Sequence, residues 1–274
     1  MKNVLITGCS SGIGLCVAHG LKKRGYFVIA TARTSRDVDT LKAHGFESVP
    51  LDLADSASIR SAVDEALKIT GGELYGLFNN GAYGLVGAVE DLSRDAIRDQ
   101  FEVNLFGTME LTNLLIPVMR AKGVGRIIQN SSVLGFVSLP FRGAYNASKY
   151  ALEGLSDAMR LELKGSGVRV SIIEPGPIIS KFRENAYAAF KKYIDPERSF
   201  HRKHYEKTVE RLTHEGPVMR GTLPPEAVLE KVIHALESPR PKIRYYVTIP
   251  THIAAMLKRL LPHWMMDRVI GRKG

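Results

Sequence analysis

The sequence predicts one α/β domain of the Rossmann-like, doubly wound type, with a seven-stranded parallel sheet and helices on both faces. Three observations lead to this prediction. Short apolar runs alternate with segments of helical period, a glycine-rich turn follows the first run, and no linker or repeat breaks the order. Strict alternation of strands and helices favours a parallel sheet. The 274 residues, 45% of them hydrophobic, suffice for one domain over residues 1–274.

Seven runs have the composition of buried strands. In chain order they are NVLITG, FVIATA, SVPLD, LYGLFNN, GRIIQNSS, VRVSIIEPG and RYYVTIP. Between them lie amphipathic stretches with apolar residues at helical spacing, such as Ile59, Val63, Ala66 and Leu67 in one and Leu152, Leu155, Ala158 and Met159 in another. These two periodicities predict the strands and helices of the sheet.

Residues 177–222 depart from this rhythm, because they form a long helix-like insertion after the sixth strand. Ligands of open parallel sheets lie beyond the carboxyl ends of the strands, so the insertion is placed to act as a substrate lid. Its apolar side chains either cover a lipophilic substrate or anchor two surface helices to the core. They are Phe182, Tyr187, Phe190, Tyr193, Ile194, Phe200 and Tyr205.

The tail, residues 250–274, is basic and amphipathic. One helical stripe carries Ile253, Met256, Leu257, Leu260 and Leu261, and Trp264, Met265 and Met266 follow a proline. Such a segment could make a weak peripheral contact with an anionic membrane, close the substrate pocket or pack on a second subunit.

The distribution of charge limits the kinds of function that the sequence supports. Residues 1–179 carry 19 Lys and Arg against 18 Asp and Glu, so the net charge of +10 belongs to the C-terminal third. No nucleic-acid motif accompanies it, and His201, His204 and His214 lack the spacing of metal ligands, so neither nucleic acid nor metal is expected. The chain enters an apolar strand without a signal-like leader, which predicts a cytoplasmic protein.

The first turn, LITGCSSGIGL, indicates a dinucleotide site. Gly8, Gly12 and Gly14 lie between a strand and a helix, where glycines let backbone N–H groups approach a pyrophosphate. At the end of the second strand, Ala32 stands where an NAD-selective enzyme presents a carboxylate, and Arg33 follows it. Because a guanidinium can pair with a 2′-phosphate, the sequence favours NADP(H) as cofactor.

Two Tyr-x-x-x-Lys pairs compete for a catalytic role, Tyr145 with Lys149 and Tyr187 with Lys191. A tyrosine with an ordinary pKa near about 10 transfers protons poorly at neutral pH. Spacing i, i+4 puts an ammonium on the same helix face as the phenol, and we expect that charge to favour the phenolate. Spacing alone does not choose between the pairs.

The motifs NN after the fourth strand, VNLFG, NSSVLG, YNASK and EPGPI occur in the order typical of short-chain dehydrogenases/reductases. Over residues 2 to 180 and near Tyr245 the chain resembles that family. It is most similar to the branch of retinol dehydrogenases, 17β-hydroxysteroid dehydrogenases and bacterial NADP-dependent aldehyde reductases. The resemblance implies Tyr145 as general acid, Lys149 as its partner, Ser132 as the carbonyl-orienting hydroxyl and Asn104 as holder of a relay water. Ser132 lies thirteen residues before Tyr145, the family's interval, which assigns Tyr187 to the lid surface.

The resemblance also implies the residues that bind the cofactor. They are Gly8, Ser10, Ser11, Gly12, Ile13, Gly14, Arg33, Asp52, Leu53, Asn80, Tyr145, Lys149, Pro175, Gly176, Ile178 and Ser180. Asp52 has the alternative of a solvated strand end, and Ser180 that of a helix N-cap. The sequence NNGA at residues 79–82 departs from the family's Asn-Asn-Ala-Gly, so Ala82 would be strained if its position required positive φ.

The resemblance implies an NADP(H)-dependent oxidoreductase that interconverts a carbonyl and an alcohol on an apolar aldehyde, ketone, retinoid or steroid-like molecule. The alternative is a catalytically silent NADP(H) sensor, which would have no need of all four catalytic residues. Family members commonly pair through the helices that carry the Asn and Tyr motifs, here residues 94–120 and 143–165. The resemblance therefore also implies a homodimer or homotetramer.

Overall fold

The computed structural model describes residues 1–216, 219 and 221–271. Seven strands form one parallel sheet in the order β3-β2-β1-β4-β5-β6-β7. They are β1 Asn3–Ile6, β2 Phe27–Ala32, β3 Glu47–Pro50, β4 Gly76–Asn79, β5 Gly125–Asn130, β6 Val168–Glu174 and β7 Arg244–Tyr246. The predicted doubly wound fold is confirmed. The strand order changes direction between β1 and β4, where such sheets open a crevice.

Helices cover both faces of the sheet, because successive strand side chains point in opposite directions. Val4 and Ile6 pack with one set of helices and Leu5 with the other. The helices are α1 Gly12–Lys23, α2 Ser35–Ala43, α3 Ser56–Ile69, α4 Arg94–Phe101, α5 Thr108–Ala121, α6 Gly143–Glu162, α7 Phe182–Tyr193, α8 Arg202–Thr213, α9 Glu226–Glu237, α10 Ile249–Leu260 and α11 His263–Gly271. Helices α1, α2 and α9 lie on the first face, and α3, α5 and α6 on the second.

The last strand is shorter than the run RYYVTIP predicts. It ends at Tyr246, and Thr248 caps α10 by accepting a hydrogen bond from the backbone N–H of Thr251. Pro250 then occupies the first turn of the helix, where its missing N–H costs nothing. The capping residue and the proline therefore convert the second half of the run into a helix start.

Helix α6 differs from its predicted apolar stripe. Leu152 and Met159 are buried as expected, but Leu155 is 44% exposed. The buried face instead carries polar side chains, namely Asn146, Ser148, Lys149, Glu153 and Ser156. Lys149 borders the large cavity, Glu153 pairs with Arg244 of β7 (3.0 Å), and Leu155 lies on the outer face.

The predicted lid contains α7, a short 3-10 turn and α8, and its residues 217, 218 and 220 lie outside the described residues. Phe190, Ile194 and Tyr205 are buried in a cluster with Val86 and Ala88. These three side chains therefore anchor the lid helices to the body of the protein. Phe182 and Tyr193 line the cavity below, whereas Phe200 is 93% exposed. Some aromatic residues of the lid therefore anchor its helices to the core, and others face the cavity where a substrate would lie.

The tail forms α10 and α11, and its residues 272–274 lie outside the described part of the chain. Part of its apolar stripe faces outward, since Ile253, Met256, Leu260 and Trp264 are exposed, whereas Leu257 and Leu261 are half-buried and Met266 is buried. Of the residues described in α10 and α11, none lines the large cavity, which removes support for the pocket-closing alternative. No helix within the described residues is long and apolar enough to cross a membrane.

Candidate active site

An open cavity of about 1110 Å³ runs along the carboxyl edge of the sheet. The loops after β1, β2, β4, β5 and β6 form its floor, and lid residues form its outer wall. All the catalytic and cofactor positions predicted from the sequence line this cavity, except Gly14 and Asn104. The topology therefore brings these distant segments of the chain to one site.

The glycine turn after β1 has the conformation that its glycines allow. Gly8 and Gly12 have φ of 69° and 56°, in the left-handed region. A Cβ on Gly14 would lie 2.2 Å from the carbonyl oxygen of Gly8, and one on Gly8 would lie 2.9 Å from Cα of Gly81. Helix α1 begins at Gly12, so its positive end borders the cavity beside Ser10, Ser11 and Ile13. This cradle fits the pyrophosphate of a dinucleotide.

The NNGA departure produces no strained alanine. Ala82 is absent from the residues with positive φ, and Phe141 is the one non-glycine of this kind among the described residues. The hydroxyl of Thr7 accepts hydrogen bonds from the backbone N–H groups of Asn80 (2.8 Å) and Gly81 (2.7 Å). A Cβ on Gly81 would lie 3.0 Å from Cδ1 of Leu53. A side chain at position 81 would therefore be crowded by Leu53, which favours glycine one position earlier than in the family pattern.

At the opposite end of the cavity, β2 ends in Ala32, which is buried, and Arg33, which is exposed. The Arg33 side chain makes no ion pair with any described residue. Leu53 is buried beside it, and Oδ1 of Asp52 accepts a hydrogen bond from the N–H of Ala54 (3.0 Å). This end can therefore receive an adenosine with a negatively charged 2′ substituent.

Tyr145, Lys149 and Ser132 meet at the centre of the cavity. Tyr145 and Lys149 are buried on α6, and Ser132 follows β5. Nζ of Lys149 lies 5.9 Å from the centre of the Tyr145 ring and donates a hydrogen bond to the carbonyl oxygen of Asn130 (2.8 Å). The hydroxyl oxygen of Ser132 accepts a hydrogen bond from the N–H of Leu134 (3.1 Å). The Ser132 O–H is therefore left to donate into the site.

Burial sets the proton affinities of the two α6 residues. It raises the pKa of Tyr145 to about 12, while the Ser132 hydroxyl and the Arg142 charge oppose the shift. It lowers the pKa of Lys149 to about 8, opposed by Glu153. The expectation that the Lys149 ammonium lowers the pKa of Tyr145 is not met, because the groups that oppose the rise are Ser132 and Arg142, and desolvation disfavours the phenolate more strongly than they favour it. At neutral pH, Tyr145 holds a proton that it can donate.

Asn104 lies on a π-helical turn, Glu102–Gly107, between α4 and α5. Its Nδ2 donates to the carbonyl of Tyr83 (2.9 Å) and to the hydroxyl of Ser148 (3.1 Å), and its Oδ1 accepts from the N–H of Tyr83 (3.1 Å). The side chain therefore ties the loop after β4 to α6. The water-holding role of Asn104 stays a prediction.

The loop after β6 closes the nicotinamide end of the cavity. The carbonyl of Pro175 accepts a hydrogen bond from the N–H of Val133 (2.8 Å), and a Cβ on Gly176 would lie 2.1 Å from the hydroxyl oxygen of Thr248. Ile178 lines the cavity. The hydroxyl of Ser180 also borders it and accepts a long, 3.4 Å bond from the N–H of Phe182. The N-cap of α7 is Lys181, so the alternative of Ser180 as the N-cap is wrong, and its hydroxyl can still donate into the cavity.

Three residues of this site, Asn130, Tyr83 and Arg142, were not predicted from the sequence, and Phe182 was expected in the lid but not beside Tyr145. Nδ2 of Asn130 donates to Oδ1 of Asn80 (3.0 Å), and the ring of Phe182 lies 5.4 Å from that of Tyr145. Tyr83 holds Asn104, and Arg142 lines the cavity. The position of Asn130 at a strand end was a usable signal, whereas nothing local singles out Arg142. By contrast, Lys191 lies 4.8 Å over the ring of Tyr187, away from Ser132 on the lid.

The chain is similar to known proteins of the kind that this site indicates. A family model described as short chain dehydrogenase matches residues 2–190. The oxidoreductase YbbO of Escherichia coli K12, described as uncharacterized, is 46% identical over 98% of this chain and 94% of its own. Human 17-beta-hydroxysteroid dehydrogenase type 1 is 35% identical over 89% of this chain and 77% of its own, and human retinol dehydrogenase 8 is 33% identical over 90% and 82%.

Among solved structures, a short-chain dehydrogenase from Streptomyces avermitilis has a TM-score of 0.79 at 26% identity and covers 99% of this chain and 98% of that one. Fold, site and relatives together define an NAD(P)-dependent oxidoreductase that acts on CH–OH and carbonyl groups. The chain belongs to the short-chain dehydrogenase/reductase family.

Proposed function

We propose that the protein is an NADP(H)-dependent reductase of apolar aldehydes or ketones. The observation that carries the proposal is the position of Tyr145, which is buried, protonated at neutral pH and packed against Phe182 of the lid. A phenol that is protonated at neutral pH is in the form that donates a proton to a carbonyl oxygen, and this supports carbonyl reduction.

The chain's own residues supply the acid–base chemistry. The glycine cradle and the loop after β6 would hold NADPH, and the bound NADPH would supply the hydride. The Ser132 hydroxyl donates to the carbonyl oxygen and stabilises the negative charge that develops there. Tyr145 gives its proton to that oxygen, and the Lys149 ammonium stabilises the phenolate that remains. Lys149 is itself held in place by the carbonyl of Asn130.

The preference for NADP(H) rests on the end of β2. Buried Ala32 offers no carboxylate to repel a 2′-phosphate, and exposed Arg33 lines the cavity without an ion pair among the described residues. A guanidinium binds a phosphate through paired, charge-assisted hydrogen bonds. The similarity to a steroid dehydrogenase and a retinol dehydrogenase supports a lipophilic substrate.

The test is NADPH oxidation measured against medium-chain aldehydes, retinal and steroid ketones. We expect turnover with at least one apolar carbonyl compound. NADPH binding without turnover across this panel would instead favour the sensor alternative.

We propose further contacts for two exposed apolar surfaces. Leu155 and Leu161 on α6 and Phe106 beside α5 lie on the helices through which family members pair, which supports a homodimer or larger assembly. The stripe on α10 and α11 is flanked by Lys258, Arg259 and Arg268. Because exposed apolar residues beside basic ones complement an anionic bilayer, we assign this stripe to weak membrane contact.

A further inference from the structure

Arg142 lies at the start of α6, three residues before Tyr145, and lines the substrate cavity. Its guanidinium is partly buried and donates to the carbonyl of Phe141 (3.2 Å). No carboxylate of a described residue lies within ion-pair distance of it. A guanidinium has five donors, so most of its hydrogen-bonding capacity is free.

The surroundings of Arg142 add positive charge. Arg211 of α8 lines the same part of the cavity, and its charge, together with burial, lowers the pKa of Arg142 to about 10. Arg183 of α7 donates to the carbonyl oxygens of Arg211 (3.2 Å) and Gly216 (2.6 Å), which places a third cation at this wall. The start of α6 and helix α8 of the lid thus bring the charges of Arg142 and Arg211 near each other.

The carboxylates that line the cavity do not offset this charge. Asp37 and Asp52 lie at the β2 and β3 end, where the adenosine is expected. Asp99 is occupied by Lys192 (3.1 Å) and by the hydroxyl of Tyr193. Glu102 lines the cavity from the turn before Asn104. A desolvated cation without a partner is costly, so the protein bears an electrostatic cost at Arg142.

The backbone beside Arg142 carries a second cost. Phe141 has φ of 58°, an unfavourable conformation for a bulky residue. Its carbonyl accepts from the N–H of Gly87 (3.0 Å) as well as from Arg142, and its ring stacks on His204 at 3.6 Å. Backbone strain of this kind persists where surrounding contacts enforce it, and it clusters at ligand sites. Here the strained backbone of Phe141 fixes the position of the Arg142 Cα.

We propose that Arg142, assisted by Arg211, receives an anionic group of the substrate, so that the substrate is amphiphilic, with a reducible carbonyl, an apolar body and a carboxylate or another oxyanion. This inference rests on the proposed reductase function and narrows its substrate class. Phe182 and Leu212 give the same cavity its apolar wall. The anion completes the hydrogen bonding of Arg142 and removes the cost of its unpaired charge.

A competing role for Arg142 is electrostatic support of Tyr145, since its charge opposes the rise in the Tyr145 pKa. The two roles predict different effects on the rates of charged and neutral substrates. An anion receptor changes the relative rates of charged and neutral substrates. Support of the phenol would change both rates by the same factor and would move the pH profile.

The experiment compares a short and a long ω-oxo carboxylate, each with the alkanal of the same chain length. We expect unmodified protein to show a higher kcat/KM for one of the oxo acids than for its matched alkanal. Arg142→Gln lowers that ratio about tenfold or more, the change expected on losing a hydrogen bond to a charged group. Arg211→Gln lowers it less. Lys203→Gln, an exposed cation of α8 outside the cavity, serves as the matched control.

A binding measurement gives a readout apart from turnover. Calorimetry on the Tyr145→Phe variant is expected to show tighter binding of decanoate than of decanol, and Arg142→Gln in that background removes the difference. Turnover of alkanals without any preference for oxo acids, or an equal loss for both substrates in Arg142→Gln, overturns the anion receptor. Failure to reduce either class overturns the reductase function itself, on which the inference depends.

Discussion

The ammonium of Lys149 lies 5.9 Å from the centre of the Tyr145 ring, one turn further along α6, and both groups are buried. The ammonium donates its hydrogen bond to the carbonyl of Asn130, not to another side chain. Desolvation therefore acts on both residues in the direction of their neutral forms, raising the pKa of Tyr145 and lowering that of Lys149. At neutral pH Tyr145 is therefore neutral and Lys149 is still mostly charged, so Tyr145 can give its proton to a carbonyl oxygen beside a positive charge.

Replacing Tyr145 by phenylalanine is expected to abolish measurable carbonyl reduction. The general acid contributes roughly 10²- to 10⁴-fold to such steps. The ring is kept, so its packing on Phe182 and the binding of NADPH should be nearly unchanged. Steady-state kinetics and a cofactor titration check both statements.

The matched control is Tyr187→Phe, because Tyr187 precedes a lysine at the same spacing but does not line the large cavity. We expect that variant to retain most of its turnover. The reverse ranking of the two variants would contradict the assignment of Tyr145.

The pH dependence of reduction should report Lys149. Its pKa is lowered to about 8, so the ammonium loses its proton as the pH rises through that value. Tyr145, with a pKa of about 12, remains protonated over the same range. We therefore expect kcat/KM for reduction to fall above about pH 8, and the loss to follow a single proton. A rate that stays constant well into the alkaline range is incompatible with this order of proton loss.

Arg33→Ala is expected to narrow the preference for NADPH over NADH by about tenfold, since it removes a charge-assisted contact to the 2′-phosphate. Arg36→Ala is the control, because Arg36 is an exposed cation on α2 that does not line the cavity. Parallel titrations with both cofactors measure the change. Equal affinities for NADPH and NADH in the unmodified protein would remove the role given to Arg33.

Much of the fold was predictable because hydrophobic periodicity and turn chemistry are local signals. The glycine turn fixes where β1 ends and α1 begins, and Ala32 with Arg33 marks the end of β2. Predictions from local sequence patterns failed at positions whose role depends on contacts with residues distant in sequence. The role of Gly81 depends on Gly8 and Leu53, which approach it only in the folded sheet.

The polar side of α6 shows the same limit. An apolar stripe at helical spacing predicts which face is buried, yet Leu155 is exposed while Lys149 and Glu153 are buried. Lys149 lines the cavity and Glu153 pairs with Arg244, so specific polar contacts replace apolar packing on this face of the helix. The opposing Arg142 and Arg211 come from separate helices, and no spacing rule links them.

A buried carboxylate cluster predicts an unusual pH dependence of stability. Nε of Arg244 lies 3.3 Å from Glu174, and Nη2 lies 3.0 Å from Glu153 and 2.7 Å from Asp157. Burial and the charge of Glu153 raise the pKa of Glu174. The folded protein therefore binds more protons than the unfolded chain above the ordinary carboxyl range, and this contribution to stability is lost as pH rises.

Glu174→Gln is accordingly expected to raise the melting temperature more at about pH 8 than at about pH 5, by the equivalent of about 1 kcal/mol or more. Asp157→Asn should have the opposite pH trend, because hydrogen bonding to Arg244 lowers the pKa of Asp157. Its stabilising effect is present at neutral pH and is lost on acidification. Thermal unfolding of both variants from about pH 3 to about pH 8 makes the comparison, because the Asp157 contribution changes at the acid end of this range and the Glu174 contribution at the other end. Identical pH trends for both variants would contradict the charge assignment of the cluster.

The exposed stripe of the tail is expected to bind vesicles that contain phosphatidylserine. Ile253, Met256, Leu260 and Trp264 supply the apolar surface, and each basic residue nearby adds roughly 1 kcal/mol close to an anionic bilayer. Co-sedimentation should therefore weaken with salt and with neutral lipid. Ile253→Asn combined with Leu260→Asn should remove binding, whereas Val124→Asn, an equally apolar exposed site outside the tail, should not. If the paired substitution instead dissociates an oligomer and the unmodified protein ignores anionic vesicles at low salt, the stripe is a contact between subunits.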